Sequence, residues 1–167
     1  QTLPFGGIAF GGRGNATNLP IVKTGLPLGA FSGYQFAGVD PATGNALYKT
    51  ASGGTTATPT SDDQTYLGSG LPKAVYGFAN SINYKNFGLD FLFDAVAGNK
   101  VFDATRVETE GMYISGNASA AVLNRWKKPG DITDVPAAYY CCTNSSGAST
   151  ILPSSRFIES GGFVGLK

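Results

Sequence analysis

From Lys73 to Asn99 the chain reads KAVYGFANSINYKNFGLDFLFDAVAGN, and large apolar side chains recur at alternate positions along most of it. In the first half Tyr76, Phe78, Ile82 and Tyr84 share one parity, while Gly77, Ala79, Ser81 and Asn83 hold the other. A period of two predicts a strand. After Lys85-Asn86 the alternation resumes with opposite parity, setting Phe87, Leu89, Phe91 and Phe93 against Gly88, Asp90 and Asp94. Two strands joined by a two-residue turn make a hairpin. Its apolar side is nearly all aromatic, and each strand is about ten residues long, the length a tilted strand needs to cross a bilayer's hydrocarbon core. That pattern fits an outer-membrane barrel strand. It also fits a long hairpin in a soluble, secreted all-β binding or adhesion module, whose buried face is rich in Phe.

The flanking patterns are weaker. In the stretch from Ile21 to Val39, Leu26, Leu28, Tyr34 and Phe36 share one parity, which predicts a Gly-interrupted strand with Pro27 near its start. Asp40-Pro41-Ala42-Thr43-Gly44-Asn45 reads as a turn, and Ala46 to Thr50 as a short return strand. Residues 51 to 72 have the Ser, Thr, Gly and Ala composition of a loop. No sustained alternation runs through residues 98 to 160, where one helix is expected over AAVLNRW, capped by Asn117 or Ser119 and ended by Pro129-Gly130. Phe157 to Lys167 reads as the start of another strand. Long connections alternating with a two-residue turn are the asymmetry of a barrel with tight turns on one side of a membrane and extended loops on the other.

Composition supports strands over helices: 24 of 167 residues are Gly, and only 14% are charged. With 12 Lys+Arg against 11 Asp+Glu the chain has no basic field to gather phosphates, which argues against nucleic acid as a partner. No apolar run approaches the length of a transmembrane helix, a statement that leaves strands open. The chain opens at Gln1 without a leader, as expected of a processed product or a piece of something longer.

Candidate chemistry is thin. The sequence has no His, so a Ser-His or Cys-His nucleophile is missing, and neighbouring Cys141-Cys142 lack the other ligands of a metal site. Asp62-Asp63, Asp131 with Asp134, and Glu108 with Glu110 are carboxylate pairs in polar stretches, where a solvated loop is the expected role rather than acid-base catalysis. None is dense enough for calcium. The glycine cluster GGIAFGGRGN lacks the residues that complete a phosphate loop or a dinucleotide fingerprint, and is expected to be a loop or strand edge. Trp126 is expected to anchor the small helix, with stacking on a sugar as the alternative. No catalytic, cofactor-binding or metal-binding residue is assigned, no cofactor is implied, and the chain is not expected to be an enzyme.

Four blocks in order, LPLGAFSGYQFAGVDPATGNALY, SDDQTYLGSGLPKAVYGFANSINYKNFGLDFLF, SAAVLNRW and SSRFIESGGFVGLK, resemble the C-terminal region of SusC/RagA-type TonB-dependent outer-membrane transporters of Bacteroidota. The resemblance covers most of the chain from about Gly11 onward. It implies an all-β fold, in which antiparallel strands form part of a transmembrane β-barrel with long extracellular loops and one short loop helix. It also implies that residues 1–167 are a partial C-terminal segment, without the plug, the TonB-contacting segment and the remaining strands. The implied partners are a SusD-like lipoprotein, the TonB complex acting through the absent N-terminal region, the other barrel strands and outer-membrane lipid of a Gram-negative bacterium. The implied role is nutrient uptake, of an oligosaccharide or a peptide. Lys85-Asn86 would be a periplasmic turn, residues 40 to 72 and 98 to 160 extracellular loops, and Tyr76, Phe78, Ile82, Phe87, Leu89, Phe91 and Phe93 lipid-facing. Cys141-Cys142 matches no pattern of the family, and the resemblance names no substrate-contacting residue. In such a protein the Asn15, Asn117 and Asn144 glycosylation triplets carry no meaning.

Overall fold

The structure is a computed structural model that describes residues 8–9, 20–112, 117–139, 152 and 154–167. Strands dominate it: Ile8–Ala9 (β1), Pro20–Val22 (β2), Ala30–Gly33 (β3), Phe36–Val39 (β4), Ala46–Lys49 (β5), Thr55–Thr56 (β6), Thr65–Ser69 (β7), Ala74–Tyr84 (β8), Phe87–Ala97 (β9), Lys100–Phe102 (β10), Ile158–Ser160 (β11) and Phe163–Leu166 (β12). The α-helix among the described residues, α1, spans Ala104–Glu110. Every strand pairing is antiparallel, within sheets ordered β1-β2-β3-β7, β4-β5-β6, β10-β11 and β12-β9-β8.

The expected hairpin is β8 and β9, joined at Lys85-Asn86 and paired residue by residue from Ala74 with Ala97 to Tyr84 with Phe87. Lys85 takes a positive φ of 51° to make the tight turn, and its ammonium lies 5.3 Å from the centre of the Tyr84 ring. The rest of the described chain gathers near the other end of the hairpin. All of the well-buried apolar side chains among the described residues lie outside β8 and β9, among them Ile21, Tyr34, Tyr48, Val107 and Phe157. Tyr34, Ala46 and Tyr48 form one core cluster, against which Phe36 and Leu152 pack.

Several expectations are corrected. Leu26 and Leu28 belong to no strand; they sit in the turn between β2 and β3, where Leu26 N–H donates to the Lys23 carbonyl and Ala30 N–H to that of Pro27. Residues 51 to 72 are not all loop, because Thr65–Ser69 pairs with β3 and Thr55–Thr56 with β5. The C-terminal stretch is not one strand: Gly161-Gly162 breaks it, sending β11 to pair with β10 and β12 with β9. GGIAFGGRGN lies outside the described residues apart from Ile8–Ala9, and Cys141-Cys142 and the Asn15 and Asn144 triplets lie outside them altogether.

The helix is displaced as well. Ala120–Asn124 forms a short 3-10 segment, with the Ser119 hydroxyl accepting from Ala121 N–H, and the α-helix forms at Ala104–Glu110 instead. There the Asp103 carboxylate caps by accepting from Arg106 N–H at 3.0 Å, and Arg106 and Glu110 pair across one turn. Trp126 anchors no helix. Its indole N–H donates to the Pro41 carbonyl at 3.0 Å, and its ring covers Gly44 in the Asp40–Asn45 turn.

That turn is as expected: Gly44 N–H donates to the Asp40 carbonyl, and Gly44 has a φ of +76°. A methyl group at Gly44 would stand 2.5 Å from two Trp126 ring carbons, so Gly44→Ala combines left-handed strain with a steric clash. We expect it to destabilise this region by about 2–4 kcal/mol, the sum of a left-handed alanine and a displaced ring. Limited proteolysis reads the outcome: cleavage between Asp40 and Asn45 should accelerate, and an unchanged rate would mean that the ring does not hold the turn.

Candidate functional site

The register of the hairpin sorts its side chains by side. Tyr76 opposite Ala95, Phe78 opposite Phe93, Asn80 opposite Phe91, Ile82 opposite Leu89 and Tyr84 opposite Phe87 share one side of the sheet. Gly77 opposite Asp94, Ala79 opposite Leu92, Ser81 opposite Asp90 and Asn83 opposite Gly88 share the other. β12 continues both, placing Val164 and Leu166 beside Ala95 and Phe93, and Gly165 beside Asp94. Lys167 exchanges both backbone hydrogen bonds with Leu92, and its ammonium lies 3.5 Å from Asp94 Oδ1. One side is therefore aromatic and aliphatic, with Asn80 its polar exception; the other mixes small and polar residues, two carboxylates and a lysine with Val75, Leu92, Val96 and Phe163 nearer the far end of the hairpin.

The aromatic side is bare. Phe87 is 80% exposed, Tyr76 62% and Phe78 56%, and among the described residues no second sheet covers them. The rings touch mainly one another, Phe91 meeting Phe93 edge-on at 5.8 Å and Phe78 at 6.1 Å. A soluble sandwich buries such a side under a facing sheet about 10 Å away. The length also suits a membrane. Eleven residues at about 3.3 Å each give about 36 Å of strand, which a tilt of about 40° reduces to about 28 Å, close to the apolar band of an outer-membrane barrel.

Near the far end of the hairpin, a buried ion cluster ties α1 to the C-terminal stretch. Arg106 holds both Glu110 oxygens, Nε to Oε1 at 2.8 Å and Nη2 to Oε2 at 3.2 Å. It also donates through Nη1 to Glu159 of β11 at 2.7 Å. Arg156 donates through Nη2 to Glu110 Oε2 at 2.9 Å, and its guanidinium lies over the rings of Phe36 and Phe157. Glu110 and Arg156 are both almost fully buried. Burial pushes the Arg156 pKa down, with the Glu110 charge opposing that shift. The Tyr48 hydroxyl, buried in the same region, is driven up by desolvation.

Of the carboxylate pairs read from the sequence, Asp131 and Asp134 line one open cleft, and Asp63, Asp131 and Glu110 each serve a local contact. Asp63 braces a loop, accepting from Ala51 N–H at 2.9 Å and Thr60 N–H at 2.8 Å. Asp131 accepts from Lys127 and Lys128 N–H, and Glu110 is the centre of the ion cluster. Asp134 stands close enough to Arg156 to favour its charge. Among the described residues there is no group of three or more side chains that would hold a metal, and no helix long and apolar enough to cross a membrane. The ion cluster escaped the sequence reading because its partners are 46 and 53 residues apart, although Asp103, Arg106, Glu110 and Gly111 carry a visible helix signal.

Two measurements test these contacts. Glu110→Gln leaves the buried Arg156 without its counter-charge, and should destabilise the region around α1 by about 3–5 kcal/mol, whereas removing a partner that solvent can replace costs far less. Thermal unfolding checks this, with Glu159→Gln as the exposed comparison; equal effects would contradict the cluster. Asp63 works through pH. The backbone N–H of Ala51, then that of Thr60, hold its carboxyl below the ordinary 3.8, so its contribution is full above that value and is lost as pH falls through the lower folded pKa. Amide exchange at Ala51 and Thr60, corrected for intrinsic rates, should speed up as pH falls below 3.8 and through the lowered folded pKa. Unchanged protection there would exclude Asp63 as the brace.

No family model matches the chain. Among curated proteins it is similar to TonB-dependent receptor P26 of Formosa agariphila, 30% identical over 109 residues, covering 64% of this chain and 10% of that protein. It is similar to TonB-dependent receptor P3 of the same organism, 26% identical over 163 residues, covering 88% of this chain and 15% of that protein. Among solved structures, the RagAB peptide importer in its closed-closed state superposes with a TM-score of 0.73 at 25% identity, over 92% of this chain and 17% of that one. The chain thus spans a small fraction of the length of the proteins that it matches. The strands follow the antiparallel barrel of that importer, and no closed barrel is present among the described residues. The resemblance to SusC/RagA-type TonB-dependent transporters holds in both sequence and fold.

Proposed function

We propose that this stretch of SusC/RagA-type sequence is part of the barrel of a TonB-dependent transporter in the outer membrane of a Gram-negative bacterium. The whole protein then imports an oligosaccharide or a peptide, without chemistry, beneath a SusD-like lipoprotein. Residues 1–167 are in this reading a C-terminal stretch of the barrel. The plug, the TonB-contacting segment and the other strands belong to the rest of the protein. The observation that carries the reading is the two-sidedness of β8-β9-β12, with bare rings on one side and Ser81, Asn83, Asp90 and Asp94 on the other.

Tyr76, Phe78, Ile82, Phe87, Leu89, Phe91 and Phe93 meet acyl chains, and the opposite side meets water or the plug inside the barrel. The Lys85-Asn86 turn faces the periplasm, and residues 40 to 72 and 98 to 160 are the extracellular loops. Tyr84 and Tyr76 stand near the two ends of β8, where barrel strands carry their aromatic girdles. The peptide cargo of RagAB and the receptor names of the curated relatives support uptake as the class of function.

Charge placement tests the reading. In the intact protein, Phe91→Arg puts a cation near mid-strand on the lipid side, where it should cost about 2–4 kcal/mol and deplete the heat-modifiable barrel in outer-membrane fractions. Ser81→Arg, opposite Asp90 on the polar side, should assemble normally. Equal tolerance of the two substitutions would sink the proposal, as would a parent protein recovered as a folded monomer without detergent.

A further inference from the structure

At the end of the hairpin away from Lys85-Asn86, a slot of about 350 Å³ opens between β7, the segment Leu71–Lys73 that leads into β8, and the start of β10. Its walls are Pro27, Tyr66, Leu71 and Pro72, and two lysines, Lys73 and Lys100, share its rim. Both lysines lie over glycines of positive φ. A Cβ on Gly98 would fall 2.8 Å from Lys73 Cβ and Cγ, and one on Gly68 would fall 2.8 Å from Lys100 Cγ. The missing side chains thus leave beds in which the two aliphatic stems rest. Any other residue at Gly68 or Gly98 would lift a lysine away.

No carboxylate lines the slot, and among the described residues neither ammonium has an acidic partner. Two positive charges beside an apolar wall call for a ligand with an anionic group and an apolar body. The side chains that offer neutral hydrogen bonds in the lining are two hydroxyls, that of Tyr66 and that of Ser69, which already accepts from Leu71 N–H. A sugar ring would leave hydroxyls without partners there, which costs affinity. An aliphatic side chain next to a carboxylate would not. The volume suits one or two residues rather than a whole oligomer.

We infer that this slot is a cargo subsite at the outer mouth, taking the C-terminal carboxylate of a peptide whose last side chain is apolar, with Lys73 and Lys100 as its anion-binding pair. The inference rests on the transport reading above, since it places the slot at the external end of the strands.

The probes are an acetylated tetrapeptide ending in leucine, its C-terminal amide, and a uronic-acid oligomer, each titrated calorimetrically into the intact transporter in detergent. Amidation should weaken binding about tenfold or more, as should the Lys73→Gln, Lys100→Gln double variant, whereas Lys→Arg at both positions should retain binding. Gly98→Ala should weaken binding of the acid and leave that of the amide unchanged. Equal affinity for acid and amide, full affinity in the double variant, or tighter binding of the uronic-acid oligomer would each overturn the inference. Heat-modifiability of the same preparations separates the two readings. A folded barrel that does not prefer the acid loses this subsite alone, whereas a parent that needs no membrane loses the transport reading.

Discussion

Eleven consecutive cross-strand pairs, from Ala74 with Ala97 to Tyr84 with Phe87, run without a register shift, and the sidedness of the sheet depends on that regularity. A slip of one residue would carry Asp90 and Asp94 to the aromatic side and the phenylalanines to the polar one. In hydrocarbon the same ladder has a second role. Every backbone N–H and C=O must find a partner within the protein there, so a bulge exposed to lipid would cost several kcal/mol. The smaller sheets near the far end are under no such constraint, and β3-β7 and β4-β5 both show register shifts.

The two regions are stabilised by different physics. The hairpin contributes none of the well-buried apolar residues among the described ones, so its rings gain their transfer energy only from a surrounding apolar phase, at about 1.5–3 kcal/mol for each fully buried phenylalanine. The remainder has its own small core, Tyr34, Ala46 and Tyr48, and locks the C-terminal stretch onto it through charge. Glu110 receives one arginine from its own helix and another from Arg156, and Arg156 spreads its guanidinium over Phe36 and Phe157. A buried pair of this kind adds little net stability, because desolvation offsets attraction, but breaking one partner is costly. Its effect is to fix which segments meet.

This division explains what was legible in the sequence. The hairpin was readable because alternation over eleven residues is a local signal, and so was the Asp40–Asn45 turn, whose Pro and Gly fix its backbone. β7 was hidden because Thr65–Ser69 sits in Ser- and Gly-rich surroundings, and its partner β3 lies more than thirty residues away. Val122 and Trp126, four residues apart, suggest one apolar helix face that does not form. In fact Trp126 turns to the Pro41 carbonyl and Gly44, a contact that spans 85 residues. The lysine slot was illegible for the same reason, since nothing local links Gly68 to Lys100.

Asn80 shows how far the membrane constraint reaches. It sits opposite Phe91 near the middle of β8, on the side otherwise given to rings and aliphatic chains, with Phe78 and Ile82 two residues to either side. A neutral amide is tolerated there better than a charge, whose midplane cost in a barrel is about 2–4 kcal/mol for Arg or Lys. Ser81 and Asp90 lie on the opposite side, where in the proposed barrel water removes any comparable cost. The acidic residues of the hairpin, Asp90 and Asp94, both fall on the side away from the rings, and Lys85 falls in the turn. The ring-bearing side of β8 and β9 thus holds one amide and no charge, the order that desolvation costs dictate for a side that meets lipid.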